Sequence, residues 1–169
     1  MLLFPAKVRN SPIAGKGLFS TAQIPKGALV IVWGLKCHAI PEETYRSINH
    51  DPIVHATGIR WVDNVFFYDT QVRADDYINH SFQPNLLYHC GSLFALRPIP
   101  PGVELTANYE HFLSEGEKSD FIDTTSGLPV VGLSGKEALR RSACELIALV
   151  TDSVEKDGVE NYSTMRDAA

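Results

Sequence analysis

The chain has 169 residues, 44% of them hydrophobic and 21% charged, with 20 acidic against 15 basic side chains and a formal charge of -5. That length suits one domain with its own core, since a chain of about 150 residues buries roughly 68–70% of its unfolded surface. Lys and Arg are scattered along the sequence, which argues against direct nucleic-acid binding, because phosphates need grouped cations; the acidic balance suits a basic protein partner instead.

Cys37, Cys90 and Cys144 are odd in number and far apart. No C-x-C or C-x-x-C pair occurs, so no metal site built on thiolates is expected, and a reducing compartment fits three small core residues. The opening "MLLFPAKVRNSP" lacks a basic region ahead of a long apolar stretch, so it does not read as a signal peptide. No apolar run approaches the ~20 residues of a membrane span. The expected location is cytoplasmic, or nuclear or host-directed if the source requires it.

In chain order, residues 1–110 are dominated by short apolar runs broken by Gly and Pro. "LFS", "ALVIVWG", "IRWV", "VFFY", "NLLYH" and "SLFALRPI" are rich in β-branched and aromatic residues and predict short strands. "IPKG" at 24–27 and "IPPG" at 99–102 predict turns, with Pro fixing φ and Gly tolerating its positive values. One helix is expected to begin near Pro41, where Glu42 and Glu43 suit a first turn. A shorter helical turn is expected within "TQVRADDY". Residues 113–133 read as loop. Ser134 and Glu137 then form a capping-box pattern. Leu139, Ala143, Leu146, Ile147 and Val150 follow at helical spacing, a face expected to pack on the sheets or else to form a homodimer contact. From Glu155 the sequence reads as a frayed tail. The expected division is 6–112 for the domain proper, 113–154 for a flanking segment with the helix, and 155–169 for a flexible tail.

Three segments hold the residue types that bind ligands. "GKG" at 15–17 could serve only a tight turn, but paired glycines also let backbone approach a ligand closely; no strand precedes it in a βαβ unit, so a dinucleotide fold is not implied. "YINHSFQPN" at 77–85 concentrates Asn79, His80, Ser81 and Asn85, which can cap a turn or hold a ligand. "IPPGVELTANY" at 99–109 ends on Tyr109, which by pattern alone is a half-buried sheet residue.

Taken in this order, Gly15-Lys16-Gly17, Asn79-His80-Ser81 with Pro84-Asn85, and Glu104-Leu105-Thr106 through Tyr109 resemble the SET domain family of protein-lysine methyltransferases over roughly residues 6–112. The resemblance implies a mainly β (α+β) fold of several small curved sheets, a helical insert, a C-terminal helix and a C-terminal pseudoknot. It implies S-adenosylmethionine as cofactor, with S-adenosylhomocysteine as product. Lys16, Gly17, Leu18, Asn79, His80, Tyr109 and Phe112 are the residues it places at the cofactor. Tyr109 and Tyr88 are its catalytic candidates, and Trp33, Tyr88 and Phe121 its candidates for lining a substrate channel. The implied substrate is a lysine in a basic protein, such as a histone, a histone-like or a ribosomal protein.

The sequence departs from the family pattern in three places. Asn108 stands where the family has Asp before the final Tyr, Val103 replaces a usual acidic residue, and Asp76 stands where many members carry Arg. The cysteine cluster that many histone-directed members carry after the final Tyr is absent, so residues 110–150 must complete the channel otherwise. A rival reading is a degenerate SET or β-clip module that binds a protein partner without catalysis. "YINHSFQPN" together with Tyr109 argues against it, because a pure binder has no reason to keep both.

Overall fold

The computed structural model describes residues 1–33 and 38–166, with side chains described through residue 151. Among these residues, five small sheets, three of two strands and two of three, surround one main core. Strand β1 (Ala6–Asn10) and strand β2 (Lys16–Ser20) form a hairpin whose turn passes through Gly15 at φ +45°. Strand β3 (Leu29–Val32) lies against β9 (Ser92–Ala95), which pairs with β8 (Leu86–His89). Leu18, Ile24, Ile31, Leu86, Leu93, Ile99 and Leu105 fill the space between these sheets.

The two Pro-Gly turns are coupled. Ile24 and Ile99 exchange backbone hydrogen bonds at 2.9 Å in both directions, and both side chains are fully buried. Apolar residues placed just ahead of each turn therefore anchor it to the core. Gly27 and Gly102 take φ of +79° and +87°, as the sequence pattern requires.

The insert lies on the sheet of β4 (His38–Pro41), β5 (Ile59–Val62) and β6 (Val65–Tyr68). It holds two helices where one was expected. Helix α1 (Glu42–Ile48) starts at Pro41, and α2 (Pro52–Thr57) is capped by Asp51, whose Oδ1 accepts from the N–H groups of Ile53 and Val54. Tyr45 stacks on Phe66 at 4.3 Å to form a second, smaller core. The expected helical turn is the 3-10 turn Ala74–Asp76.

Strands β7 (Asn79–His80) and β10 (Thr106–Ala107) run parallel, at the base of the expected pseudoknot, and Ser81 N–H donates to Ala107 at 3.0 Å. Two-residue strands carry no readable periodicity, so only the family resemblance could anticipate this pairing. Beyond a 3-10 turn at Tyr109–His111, the segment expected as loop instead forms a hairpin of β11 (Lys118–Ile122) and β12 (Pro129–Val131). Its register is irregular and β11 lies mostly at the surface, so the alternation that marks a half-buried strand is missing.

Helix α3 (Gly135–Arg166) continues past Glu155, where the sequence reading placed an irregular tail; no proline interrupts that stretch. Ser134 Oγ accepts from Glu137 N–H at 3.3 Å, while the Glu137 carboxylate turns to Arg140 and Arg141 instead of closing the box. The packed face also differs from expectation. Ala138, Ser142 and Leu149 are buried, whereas Leu139, Ile147 and Val150 are 36%, 63% and 46% exposed. The cause is close approach: a Cβ on Gly135 would lie 2.4 Å from the Asp63 carbonyl, and Ser142 Oγ sits 2.9 Å from His89 Nδ1. Gly135, Ala138 and Ser142, together with Leu149, turn toward the sheets in place of Leu139, Ile147 and Val150.

Candidate functional site

The sequence motifs meet in one polar network. Asn85 is buried and binds residues 104–106 through three of its polar groups: its side-chain amide donates to Glu104 O at 2.7 Å, its Oδ1 accepts from Thr106 N–H at 2.9 Å, and its N–H donates to Thr106 Oγ1. The last residue of the central motif is thus a clamp that holds β10 beside β7. Glu104 anchors the glycine turn in the same way. Its carboxylate accepts from Ser11 Oγ through both oxygens and from Asn79 Nδ2 at 2.7 Å. A Cβ on Gly17 would lie 2.1 Å from Glu104 Oε1, so a side chain there would displace the Glu104 carboxylate.

Beside this network lies a cavity of about 200 Å³ lined by Ile13, Ala14, Asn79, His80, Tyr109 and the hairpin residues Phe121 to Thr124. Asn79 Nδ2 faces the carbonyls of Ala14 and Lys16 at 3.3 and 3.0 Å, and no donor among the described residues reaches its oxygen. His80 Nδ1 accepts from Tyr109 N–H at 3.1 Å, which places the ring proton on Nε2. Burial lowers the His80 pKa against the pull of Asp123, and the ring stays neutral. Nε2 is itself buried without a hydrogen-bond partner among the described residues, 4.0 Å from Asp123 Oδ2. A buried donor of this kind carries a desolvation cost that a ligand acceptor would remove.

A second cavity, of about 220 Å³, shares Tyr109 and Phe121 with the first. Trp33, Ile59, Ile78, Phe112, Tyr109 and Phe121 supply its apolar wall. Phe112 meets Trp33 edge-on at 5.8 Å and lies 5.1 Å from Tyr109, while Tyr109 meets Phe121 edge-on at 6.0 Å. The Tyr109 hydroxyl donates to the Ile78 carbonyl. Burial, with a smaller push from Glu104, raises its phenol well above the usual range, so the hydroxyl remains a proton donor. Tyr109 and Phe121 line both cavities; they are the partition between them.

Three expected roles do not fit this geometry. Tyr88 is buried, its hydroxyl donates to the Arg60 carbonyl, and it lines neither large cavity; it supports Phe112 from behind at 4.9 Å. Leu18 is fully buried, with its N–H given to Tyr77 O and its carbonyl taken by Leu105 N–H, so the sheet uses the groups expected to touch a ligand. Phe112 lines the larger cavity and not the smaller one, because the 3-10 turn at 109–111 carries it toward Trp33. Lys16 and Gly17 do not line the smaller cavity; Lys16 O accepts from Asn79 Nδ2 at 3.0 Å, and Gly17 lies against Glu104. Trp33 and Phe121 line the larger cavity. Asn108 in place of Asp still caps the 109–111 turn, its Oδ1 accepting from Glu110 N–H at 3.0 Å.

Sequence reasoning missed Ile13, Ala14, Asp123 and Thr124 on the smaller cavity, and the wall that α2 and Gly58 give the larger one. Asp123 had a local signal. The run "DTTSG" is an Asx turn in which Oδ1 accepts from Thr125 and Ser126 N–H groups.

The SET domain family matches residues 15–110, more than half of the chain. Solved structures of similar fold include an active polycomb repressive complex 2 in the stimulated state, with TM-score 0.53 and 19% identity over 77% of this chain and 18% of that one. A humanized mutant of the Chaetomium thermophilum complex bound to an inhibitor gives TM-score 0.51 and 17% identity over 78% of this chain and 19% of that one. The chain thus spans less than a fifth of those proteins, and at such identity the likeness concerns the fold. No curated protein sequence matches it. With its three motifs gathered into one network and two cavities, the chain belongs to the SET domain family, whose members are generally protein-lysine methyltransferases.

Proposed function

We propose that this protein methylates a lysine side chain in a basic protein, using S-adenosylmethionine and leaving S-adenosylhomocysteine. The observation that carries the reading is the partition: Tyr109 and Phe121 line two separate cavities. Such an arrangement lets a donor and an acceptor meet end to end while each keeps its own entrance. The smaller cavity suits the cofactor. The Ala14 carbonyl, the Asn79 oxygen and the Asp123 carboxylate suit its positive centres, and the His80 Nε2–H offers a donor for one of its acceptors. When bound, S-adenosylmethionine supplies a methyl group on a positively charged sulfur.

The chain's own residues supply alignment and a change in protonation. A free lysine titrates near ~10.4 and is almost wholly charged at neutral pH. The apolar wall of Trp33, Ile59, Ile78 and Phe112 disfavours that charge and lowers the lysine pKa, so the proton leaves to water without a dedicated base. Tyr109 cannot serve as that base, because burial keeps its phenol protonated. Its hydroxyl, fixed on the Ile78 carbonyl, orients the amine at the partition, and alignment at near-attack distance is a large effect in well-oriented reactions. Phe121 closes the partition against water from the hairpin side.

The test is mass spectrometry of peptide arrays incubated with the purified protein and S-adenosylmethionine. Methylated lysines are expected, and Tyr109→Phe should lower the rate by about tenfold or more while cofactor affinity stays nearly constant. Cofactor binding without any transfer would favour a catalytically degenerate binding module, and absence of both would remove the proposal.

A further inference from the structure

Asp76 is a departure from the family pattern that the proposed chemistry does not use. It ends the 3-10 turn Ala74–Asp76, is half-buried, and lies on the wall of the larger cavity with Trp33, Ile78, Tyr109 and Phe112. Its Oδ2 accepts from Arg73 N–H at 2.6 Å and so caps the turn. That cap needs an acceptor and not a charge; asparagine would serve it equally. Arg73 exerts a Coulombic pull on this charge, but its guanidinium makes its ion pair with Asp69 at 2.9 Å, and no salt bridge among the described residues reaches Asp76. The neighbouring Asp75 adds a second negative charge. Glu117, Lys118 and Asp120 also line this cavity, but a half-buried carboxylate that makes no salt bridge, on one wall with Trp33, Ile78 and Phe112, costs stability, and an entering cation would offset that cost.

We propose that Asp76 is a specificity-determining residue of the larger cavity, docking the ammonium of the entering lysine through its uncommitted oxygen. The inference rests on the reading that this cavity admits the substrate lysine. Asp76 lies two residues ahead of Ile78, whose carbonyl holds the Tyr109 hydroxyl, so docking and alignment share one short segment. Docking selects the charged side chain at entry; loss of its proton follows at the apolar partition. Burial, reinforced by Asp75 and Asp69 and opposed by the Arg73 amide, raises the Asp76 pKa to about 6, which leaves the carboxylate ionised at neutral pH.

Two small probes isolate the charge: N-acetyl-lysine methylamide, and N-acetyl-norleucine methylamide, which has an apolar side chain and no ammonium. Each is titrated at neutral pH into the full-length protein and followed through the NMR signal of the Trp33 indole, with no methyl donor needed. The wild type is expected to bind the lysine probe about tenfold tighter than the norleucine probe. Asp76→Asn, which keeps the turn cap, is expected to abolish the preference, and Asp76→Arg to reverse it. A lysine preference that survives in both variants, equal affinity of the wild type for both probes, or no response of Trp33 to either probe would overturn the proposal. Failure here with lysine methylation intact on arrays would sink the docking role alone. Failed methylation with the probe preference intact would sink the catalytic reading and leave Asp76 as a lysine-docking residue.

Discussion

The knot at residues 77–85 and 104–109 and the hairpin at 118–131 build the site from opposite kinds of structure. In the knot, short strands are held by side chains: Asn85, Asn79, Glu104 and His80 each bind backbone or another polar side chain, with apolar residues close around them. In the hairpin, Phe121, Ile122, Leu128 and Val131 are 37%, 56%, 62% and 41% exposed, and its strand register shifts. The knot fixes Tyr109 and the hairpin brings Phe121 to meet it. One half of the partition is rigid by construction and the other is held by few contacts, so stability and ligand binding should respond differently to changes in each.

The largest effect is expected at the clamp. Asn85→Ala leaves the buried Glu104 carbonyl and Thr106 N–H without partners and should cost about 3 kcal/mol or more. Urea unfolding is the measurement, and a loss of that size is a large share of the ~5–15 kcal/mol that holds a typical domain together. Gly17→Ala should act next and more locally. The new methyl displaces the Glu104 carboxylate from Ser11 and Asn79, and calorimetry should find S-adenosylmethionine affinity lowered by about tenfold with a smaller loss of stability. Phe121→Ala should change stability by only about 1 kcal/mol, because the ring is partly exposed already. It should nevertheless weaken cofactor binding and slow transfer together, since the ring lines both cavities.

The same contrast governs what the sequence reveals. "IRWV" and "VFFY" become strands with the very bounds their composition suggests, because apolar, β-branched runs between turns have few other uses. The knot is legible only through its motif, since β7 and β10 are two residues each and their pairing depends on Asn85 reaching across the fold. The hairpin is not legible at all. Its strands lack alternation because neither face is fully buried, and the turn signal at Asp123 stands alone. The register of α3 was hidden for another reason: Gly135, Ala138 and Ser142 approach the sheets closely, a constraint that a rule built on large apolar residues overlooks. Tyr88 misleads in the same way, as its hydroxyl looks available in sequence but is spent on the Arg60 carbonyl.

The most direct test is the affinity of an adenosyl compound carrying a lysine-like amine chain in place of the departing methyl, measured by calorimetry beside S-adenosylhomocysteine. If the two cavities are joined at Tyr109 and Phe121, the linked compound fills both and should bind more than about tenfold tighter than S-adenosylhomocysteine. Equal or weaker binding would mean that no ligand passes the partition, and that the two cavities do not serve one reaction.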